Sequence, residues 1–118
     1  MKKTDKLLEN TIVKVLTQVC EESLETVDGF QWLTHLSGKS GVNYKDFPRY
    51  LTIICIFDNQ SRVEKLLNSS DYDYLVKLIV EKLKSAGIQL PNATQQIKFD
   101  SEETCHFEHS GNWKRRLK

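Results

Sequence analysis

The stretch that decides the fold is YLTIICIF, residues Tyr50–Phe57. It is rich in β-branched residues, which favour an extended strand, and it is apolar at both odd and even positions. Because successive side chains of a strand point to opposite faces of a sheet, a strand of this kind is covered on both sides. We therefore predict that Tyr50–Phe57 is the central strand of a sheet with a layer of structure on each face.

Two elements precede this strand. Apolar residues recur at steps of three and four from Thr4 to about Val27, which predicts a long amphipathic helix that ends at Gly29. The apolar stripe of this helix comprises Leu8, Ile12, Val15, Leu16, Val19, Cys20 and Leu24. Alternation over Phe30–Leu36 predicts a strand, and a polar loop then continues to about Pro48.

Four elements follow the central strand. A capping pattern that begins at Ser61 predicts a short helix through Leu67, and a similar start at Ser70 opens a longer helix that runs to Ala86. Alternation over Gln95–Phe99 predicts a third strand, which has one solvent-exposed face and is expected at the edge of the sheet. A last capping pattern, from Asp100 to Glu103, opens a terminal helix, which ends at Gly111.

The order α-β-β-α-α-β-α predicts a single α+β domain over residues 1–118. We expect a layer sandwich in which two long helices pack on a small three-stranded mixed sheet, with a basic C-terminal tail at residues 112–118. A chain of 118 residues is long enough to form one core without disulfides or metal.

The composition favours a soluble protein of the reducing cytoplasm. The 17 Lys and Arg residues nearly balance the 16 Asp and Glu residues, so the whole molecule attracts neither nucleic acid nor membranes strongly. The three cysteines form no C-x-x-C pair and encode neither a disulfide framework nor a zinc knuckle. The longest apolar run, Ile53–Phe57, is far shorter than the ~20 residues of a spanning helix. We expect no cofactor and no membrane partner.

Three segments resemble those of a group of short, uncharacterised bacterial proteins of similar length. They are Gly29–His35 (GFQWLTH), Phe99–Glu103 (FDSEE) and His109–Trp113 (HSGNW). The resemblance covers nearly the whole chain and implies a cytosolic protein of a bacterium. It supplies no catalytic roles, so the candidate residues are chosen by residue type and spacing alone.

Residues 100–109 hold the densest group of ionisable side chains. Glu103, His106 and His109 follow one another at steps of three, so on a helix they share one face with the spacing of metal ligands. A small metal-dependent enzyme is therefore one hypothesis. The alternative, which we favour, is that these groups finish a helix: Asp100 as the N-cap, Glu102 and Glu103 near its N-terminus, and His109 near its C-terminus.

Catalysis by acids and bases has four candidate residues: His35, Asp58, Asp100 and His106. Asp58 follows the central strand, where open sheets often carry functional groups. The sequence contains no G-x-S-x-G motif, no H-E-x-x-H motif and no paired nucleophile signature. We therefore favour a protein that is not an enzyme.

The chain ends with an aromatic residue followed by cations: Trp113, Lys114, Arg115, Arg116 and Lys118. An aromatic surface beside positive charges is typical of a contact with single-stranded nucleic acid, which high salt would weaken. The alternative is that Trp113 and Leu117 pack a final helical turn on the body while the cations stay solvated. We favour this alternative, and nucleic-acid association is the second hypothesis for the function.

The leading hypothesis is a protein-interaction or regulatory module. Tyr44, Phe47 and Tyr50 flank Pro48 between the first two strands and are candidates for an interaction surface. An edge strand can also accept a strand of another chain. The expected partner is another protein or a second copy of this chain in a homodimer.

Overall fold

The computed structural model describes residues 3–36 and 51–117 and has the predicted α+β architecture. The candidate interaction residues Tyr44, Phe47 and Tyr50 lie outside the described residues. None of the helices within the described ranges is long and apolar enough to cross a membrane. The elements, in chain order, are α1 (Lys3–Thr26), β1 (Phe30–Leu36), β2 (Thr52–Phe57), α2 (Gln60–Leu67), α3 (Ser70–Ser85), α4 (Ala93–Gln96), β3 (Ile97–Ser101), α5 (Glu102–His109) and α6 (Trp113–Arg116).

The three strands form one mixed sheet in the order β1-β2-β3, and β2 is central as predicted. β1 runs antiparallel to β2, whereas β3 runs parallel to it. A parallel neighbour needs a long crossover, which α2 and α3 provide. The third strand begins at Ile97 rather than Gln95, because Gln95 and Gln96 belong to the short helix α4. The buried Gln96 side chain donates a hydrogen bond to the Leu51 carbonyl oxygen and so ties α4 to the start of β2.

Helices α1 and α3 cover one face of the sheet. Their apolar stripes meet Ile53, Cys55 and Phe57 of β2, which are fully buried. Burying one large apolar side chain such as Ile, Leu or Phe contributes about 1.5–3 kcal/mol, so this layer supplies most of the hydrophobic stabilisation. The buried helical residues of the layer are Ile12, Val15, Leu16 and Val19 of α1 with Leu75, Ile79 and Leu83 of α3.

The predicted stripe of α1 is wrong at its C-terminal end. Leu24 is 53% exposed, and the core-facing position is taken by Ser23, which is fully buried. The helical repeat carries the buried face from Val19 to Ser23 and Val27, and Leu24 lies one residue, about 100°, off that face. Among the described residues, Ser23 Oγ has no hydrogen-bond partner.

The N-caps of three helices lie one or two residues away from the predicted ones. The N-caps are Asn59 for α2, Ser69 for α3 and Ser101 for α5, rather than Ser61, Ser70 and Asp100. Each cap side chain accepts a hydrogen bond from a backbone N–H two or three residues ahead. Polar residues cluster at each of these helix starts, so a local capping pattern fits several adjacent positions.

The opposite face of the sheet is covered by the C-terminal segment with α5 and α6, which forms the second layer of the fold. Ile54 and Ile56 of β2 are buried on this side, and Cys105 of α5 is fully buried. Trp32, Ile56 and Asp100 lie side by side in the register of the three strands. The terminal helix α5 ends before Ser110 and Gly111, which have left-handed conformations, and the favoured final helical turn with Trp113 follows as α6.

Candidate functional site

Glu102, the first residue of α5, binds both tryptophans of the chain. Trp32 Nε1 of β1 donates to Glu102 Oε1 at 2.5 Å, and Trp113 Nε1 of α6 donates to Glu102 Oε2 at 3.0 Å. The two indole rings meet edge to face with their centroids 5.2 Å apart, a favoured arrangement for aromatic pairs. Glu102 therefore does more than interact with the N-terminus of its own helix: it joins β1 to α6.

Arg116 binds the other outer strand of the sheet. Its Nε and Nη2 atoms donate to the two oxygens of Asp100 at 2.5 and 3.0 Å, and Nη1 donates to Glu108 at 2.5 Å. The hydrogen bond to Asp100 raises the pKa of the guanidinium above its ordinary value, burial opposes this, and Glu108 adds to it. The Arg116 side chain is only 15% exposed. The expectation that the terminal cations stay solvated is therefore wrong for Arg116.

Trp113 and Arg116 act together as a terminal clasp, which we define as these two residues of α6 with Trp32, Glu102 and Asp100. They are three residues apart, so one short helix presents both. Their partners lie on the two outer strands, which are about 10 Å apart across β2. The clasp thus holds the second layer on the sheet. Of the other predicted nucleic-acid contacts, Lys114 and Arg115 are exposed, and Lys118 is outside the described residues.

Glu103 caps a helix instead of turning toward a metal. Its Oε1 accepts the backbone N–H of Gln60 at 3.1 Å, at the first turn of α2, where a carboxylate interacts favourably with the helix dipole. His106 is exposed, and His109 Nδ1 lies 3.3 Å from Arg116 Nη1. The described part of the chain contains no group of three or more His, Cys, Asp or Glu side chains that could hold a metal ion. The structure does not bring the candidate metal ligands together.

The four candidate acid and base residues also lie apart. His35 pairs with Glu9 beside α1, and Asp58 contacts Arg62 at the end of β2. Asp100 faces the second layer, where Arg116 binds it, and His106 is exposed on α5. The described residues therefore present no shared acid-base site built from these four.

A surface groove lies between α1 and β1, and the sequence analysis did not identify it. It has a volume of about 340 Å³ and a mainly apolar lining. Val13 of α1 lines the groove and is 50% exposed. It is an apolar residue outside the core-facing stripe of its helix, which is the sequence signal that could have indicated this surface. The lining residues of this α1–β1 groove are Val13, Leu16, Thr17, Cys20, Glu21, Leu33, Thr34 and His35.

The ionisable groups of the α1–β1 groove lie toward its ends. His35 Nε2 contacts Glu9 Oε1 at 2.6 Å near one end. Toward the other end, burial raises the pKa of the Cys20 thiol, a backbone hydrogen bond from Leu33 opposes this, and the charge of Glu21 raises it further. The thiol is therefore held in its protonated form at neutral pH, which makes Cys20 a poor nucleophile.

The outer edge of β1 borders the same groove. β1 pairs with β2 on its inner side, and no strand among residues 3–36 and 51–117 pairs with its outer side. Between Phe30 and Leu36 the strand carries no Lys, Glu, Asp or Pro, the residues with which proteins usually protect an edge. A register irregularity between Phe30 and Trp32 interrupts only the start of the strand.

No protein family, curated protein or solved structure matches this chain.

Proposed function

We propose that the protein is a non-enzymatic interaction module that binds an extended segment of a partner polypeptide along the outer edge of β1. The observation that carries the proposal is the uncharged edge of β1 beside the apolar α1–β1 groove. In recognition by strand addition, main-chain hydrogen bonds give affinity and a neighbouring pocket selects alternate side chains. Here the edge of β1 offers the main-chain hydrogen-bonding groups, and α1 beside it forms the wall of the pocket.

The dimensions of the groove suit a short extended peptide. From Val13 to Glu21 the helix rises about 12 Å, at 1.5 Å per residue. An extended chain covers that length in roughly four residues. Every second side chain of such a segment points toward α1, so two side chains enter a volume of about 340 Å³, near the lower end of typical ligand sites.

The chemistry of the groove supports binding over catalysis. His35 is engaged by Glu9, and the Cys20 thiol has a raised pKa, so neither supplies an activated nucleophile. The competing nucleic-acid function loses two of its predicted contacts, because Trp113 and Arg116 hold the terminal clasp.

Selection of peptides tests the proposal directly. The purified full-length chain is used to select from a phage-displayed library of random twelve-residue peptides, and the selected peptides are titrated by fluorescence anisotropy. Val13→Lys places a charge in the groove, whereas Leu24→Lys changes an equally exposed residue of the same helix outside it. We expect binding to be lost in Val13→Lys and retained in Leu24→Lys. If no peptide is selected, or if both variants bind equally, the proposal is wrong.

A further inference from the structure

We infer that the partner segment carries a Lys or Arg side chain two residues from the apolar side chain that enters the α1–β1 groove, and that Glu21 binds this cation. The inference rests on the proposed function and specifies the chemistry of the partner. It follows from the charges that line the groove and from the distances between them.

Glu21 is the carboxylate of the groove that is available to a partner. It is exposed, and its charge is close enough to the Cys20 thiol to raise the pKa of that group. Within the described residues Glu21 forms no ion pair, whereas Glu9 near the other end is held by His35. The lining residues that the structure describes include no Lys or Arg. Among these described lining residues, a cation on the partner would therefore find an opposite charge and no Lys or Arg.

The spacing follows from the geometry of an extended chain. Val13 and Leu16 give the groove its apolar character at one end, and Glu21 lies about 12 Å from Val13 along the helix. Side chains on the same side of a strand recur every two residues, about 6.7 Å apart. The flexible stem of Lys or Arg spans the remaining few ångströms, and its apolar methylene groups pack along the groove wall. An apolar residue and a basic residue two positions apart thus satisfy both ends at once.

A reversal of the charge tests the inference. The library selection is run in parallel with the natural chain, with Glu21→Lys and with Glu25→Lys. Glu25 is a matched control because it is exposed on the same helix and does not line the groove. Glu21→Gln, which removes the charge without reversing it, serves as a second variant, and thermal unfolding establishes that all variants are folded.

We expect the natural chain and Glu25→Lys to select peptides with Lys or Arg two positions from an apolar residue. Glu21→Lys is expected to select Asp or Glu at that position and to bind the original peptides about tenfold more weakly. Replacing the basic residue of a peptide with Glu should restore its binding to Glu21→Lys. Binding of the original peptides should also weaken as ionic strength rises.

Two results separate failure of the inference from failure of the proposed function. If the selected peptides lack a basic residue at this spacing, or bind Glu21→Lys and Glu21→Gln as tightly as the natural chain, the inference is wrong. The proposed function still stands in that case, provided that Val13→Lys blocks the same peptides. If none of the groove-intact chains selects any peptide, both are wrong.

Discussion

Trp32 of β1 and Trp113 of α6 donate their indole N–H groups to the two oxygens of a single carboxylate, that of Glu102. Each indole has one donor, and the carboxylate accepts both without a water between them. The contact joins a strand from the first third of the chain to the last described helix. The attachment of α6 to β1 therefore depends on one acidic side chain at the start of α5.

Replacement of Glu102 with Gln tests this dependence. The amide keeps one acceptor oxygen but turns a donor toward the other indole, so one hydrogen bond to a charged group is lost. We expect the free energy of unfolding to fall by about 1–2 kcal/mol, as measured by urea denaturation followed by tryptophan fluorescence. Glu81→Gln on the exposed face of α3 is the control and should change stability by less than about 0.5 kcal/mol. Equal stability of the two variants would contradict the role of Glu102.

Arg116→Lys tests the other half of the terminal clasp. Lys keeps the positive charge but lacks the planar fork that binds both Asp100 oxygens and Glu108. We expect a loss of about 1–2 kcal/mol in urea denaturation, since hydrogen bonds between charged groups are the strong ones. Arg115→Lys changes an exposed neighbour and should have almost no effect. The idea fails if charge alone is sufficient, that is, if Arg116→Lys is as stable as Arg115→Lys.

Gly29 and Gly87 have nearly the same backbone conformation but different surroundings, so substitutions at the two positions distinguish backbone strain from steric crowding. Gly29 has φ +83° and Gly87 has φ +86°, a region that costs a residue with a side chain about 1–2 kcal/mol. A Cβ at Gly87 meets nothing within 4 Å, whereas one at Gly29 lies 2.6 Å from Arg62 Cδ. Arg62 would have to leave Asp28 and Asp58, two partly exposed pairs of small value.

We therefore expect Gly87→Ala to lose about 1 kcal/mol and Gly29→Ala to lose about 0.5–1 kcal/mol more in thermal or urea unfolding. If the two variants lose the same amount, displacement of Arg62 costs nothing. A Gly29→Ala variant as stable as the natural chain would contradict the left-handed turn after α1.

Alkaline pH should destabilise the fold through its buried thiols. Burial raises the pKa of Cys55 and Cys105 above their ordinary value of 9.0, although Arg116 partly opposes the effect at Cys105. Above pH 9 the unfolded chain loses these protons while the folded chain keeps them, so the folded state binds more protons and its stability falls. Below pH 9 the thiols are protonated in both the folded and the unfolded state, so the stability that their burial gives is fully present.

We expect a loss of about 1 kcal/mol through Cys55 between pH 8 and pH 10, in urea denaturation at the two pH values, and a further loss in the same direction through Cys105. Cys55→Ala should be less stable at pH 8 because of its cavity but should lose less on going to pH 10. Val63→Ala removes apolar volume from another buried position without a titrating group, and its pH dependence should match that of the natural chain. An identical pH dependence in all three proteins would refute the role of Cys55.

The strands and the first layer could be predicted because their signals are local. The run around Ile53–Phe57 is apolar on both faces, and an unbroken run of this kind belongs in the middle of a sheet. The ends of helices were less predictable, since Asp100 and Ser101 both suit an N-cap and only the packing of Asp100 against Arg116 decides between them.

The packing of Trp113 on the body could be predicted, but its partners in the terminal clasp and the α1–β1 groove could not, because they depend on contacts between distant parts of the chain. No local pattern places Trp113 against Trp32 or Glu103 at the first turn of α2. Similarly, Val13 looks like one more apolar residue of an amphipathic helix until β1 is known to lie beside it without filling the space.

The order of synthesis gives the terminal clasp a further meaning. A ribosome makes the whole first layer before it makes Trp113 and Arg116, so a nascent chain can bury Ile53 and Phe57 while Trp32 and Ile56 still face water. During that interval the unfinished protein exposes apolar surface of the kind that chaperones bind. Formation of the terminal clasp thus ends the exposure of Trp32 and Ile56 to water and to chaperones.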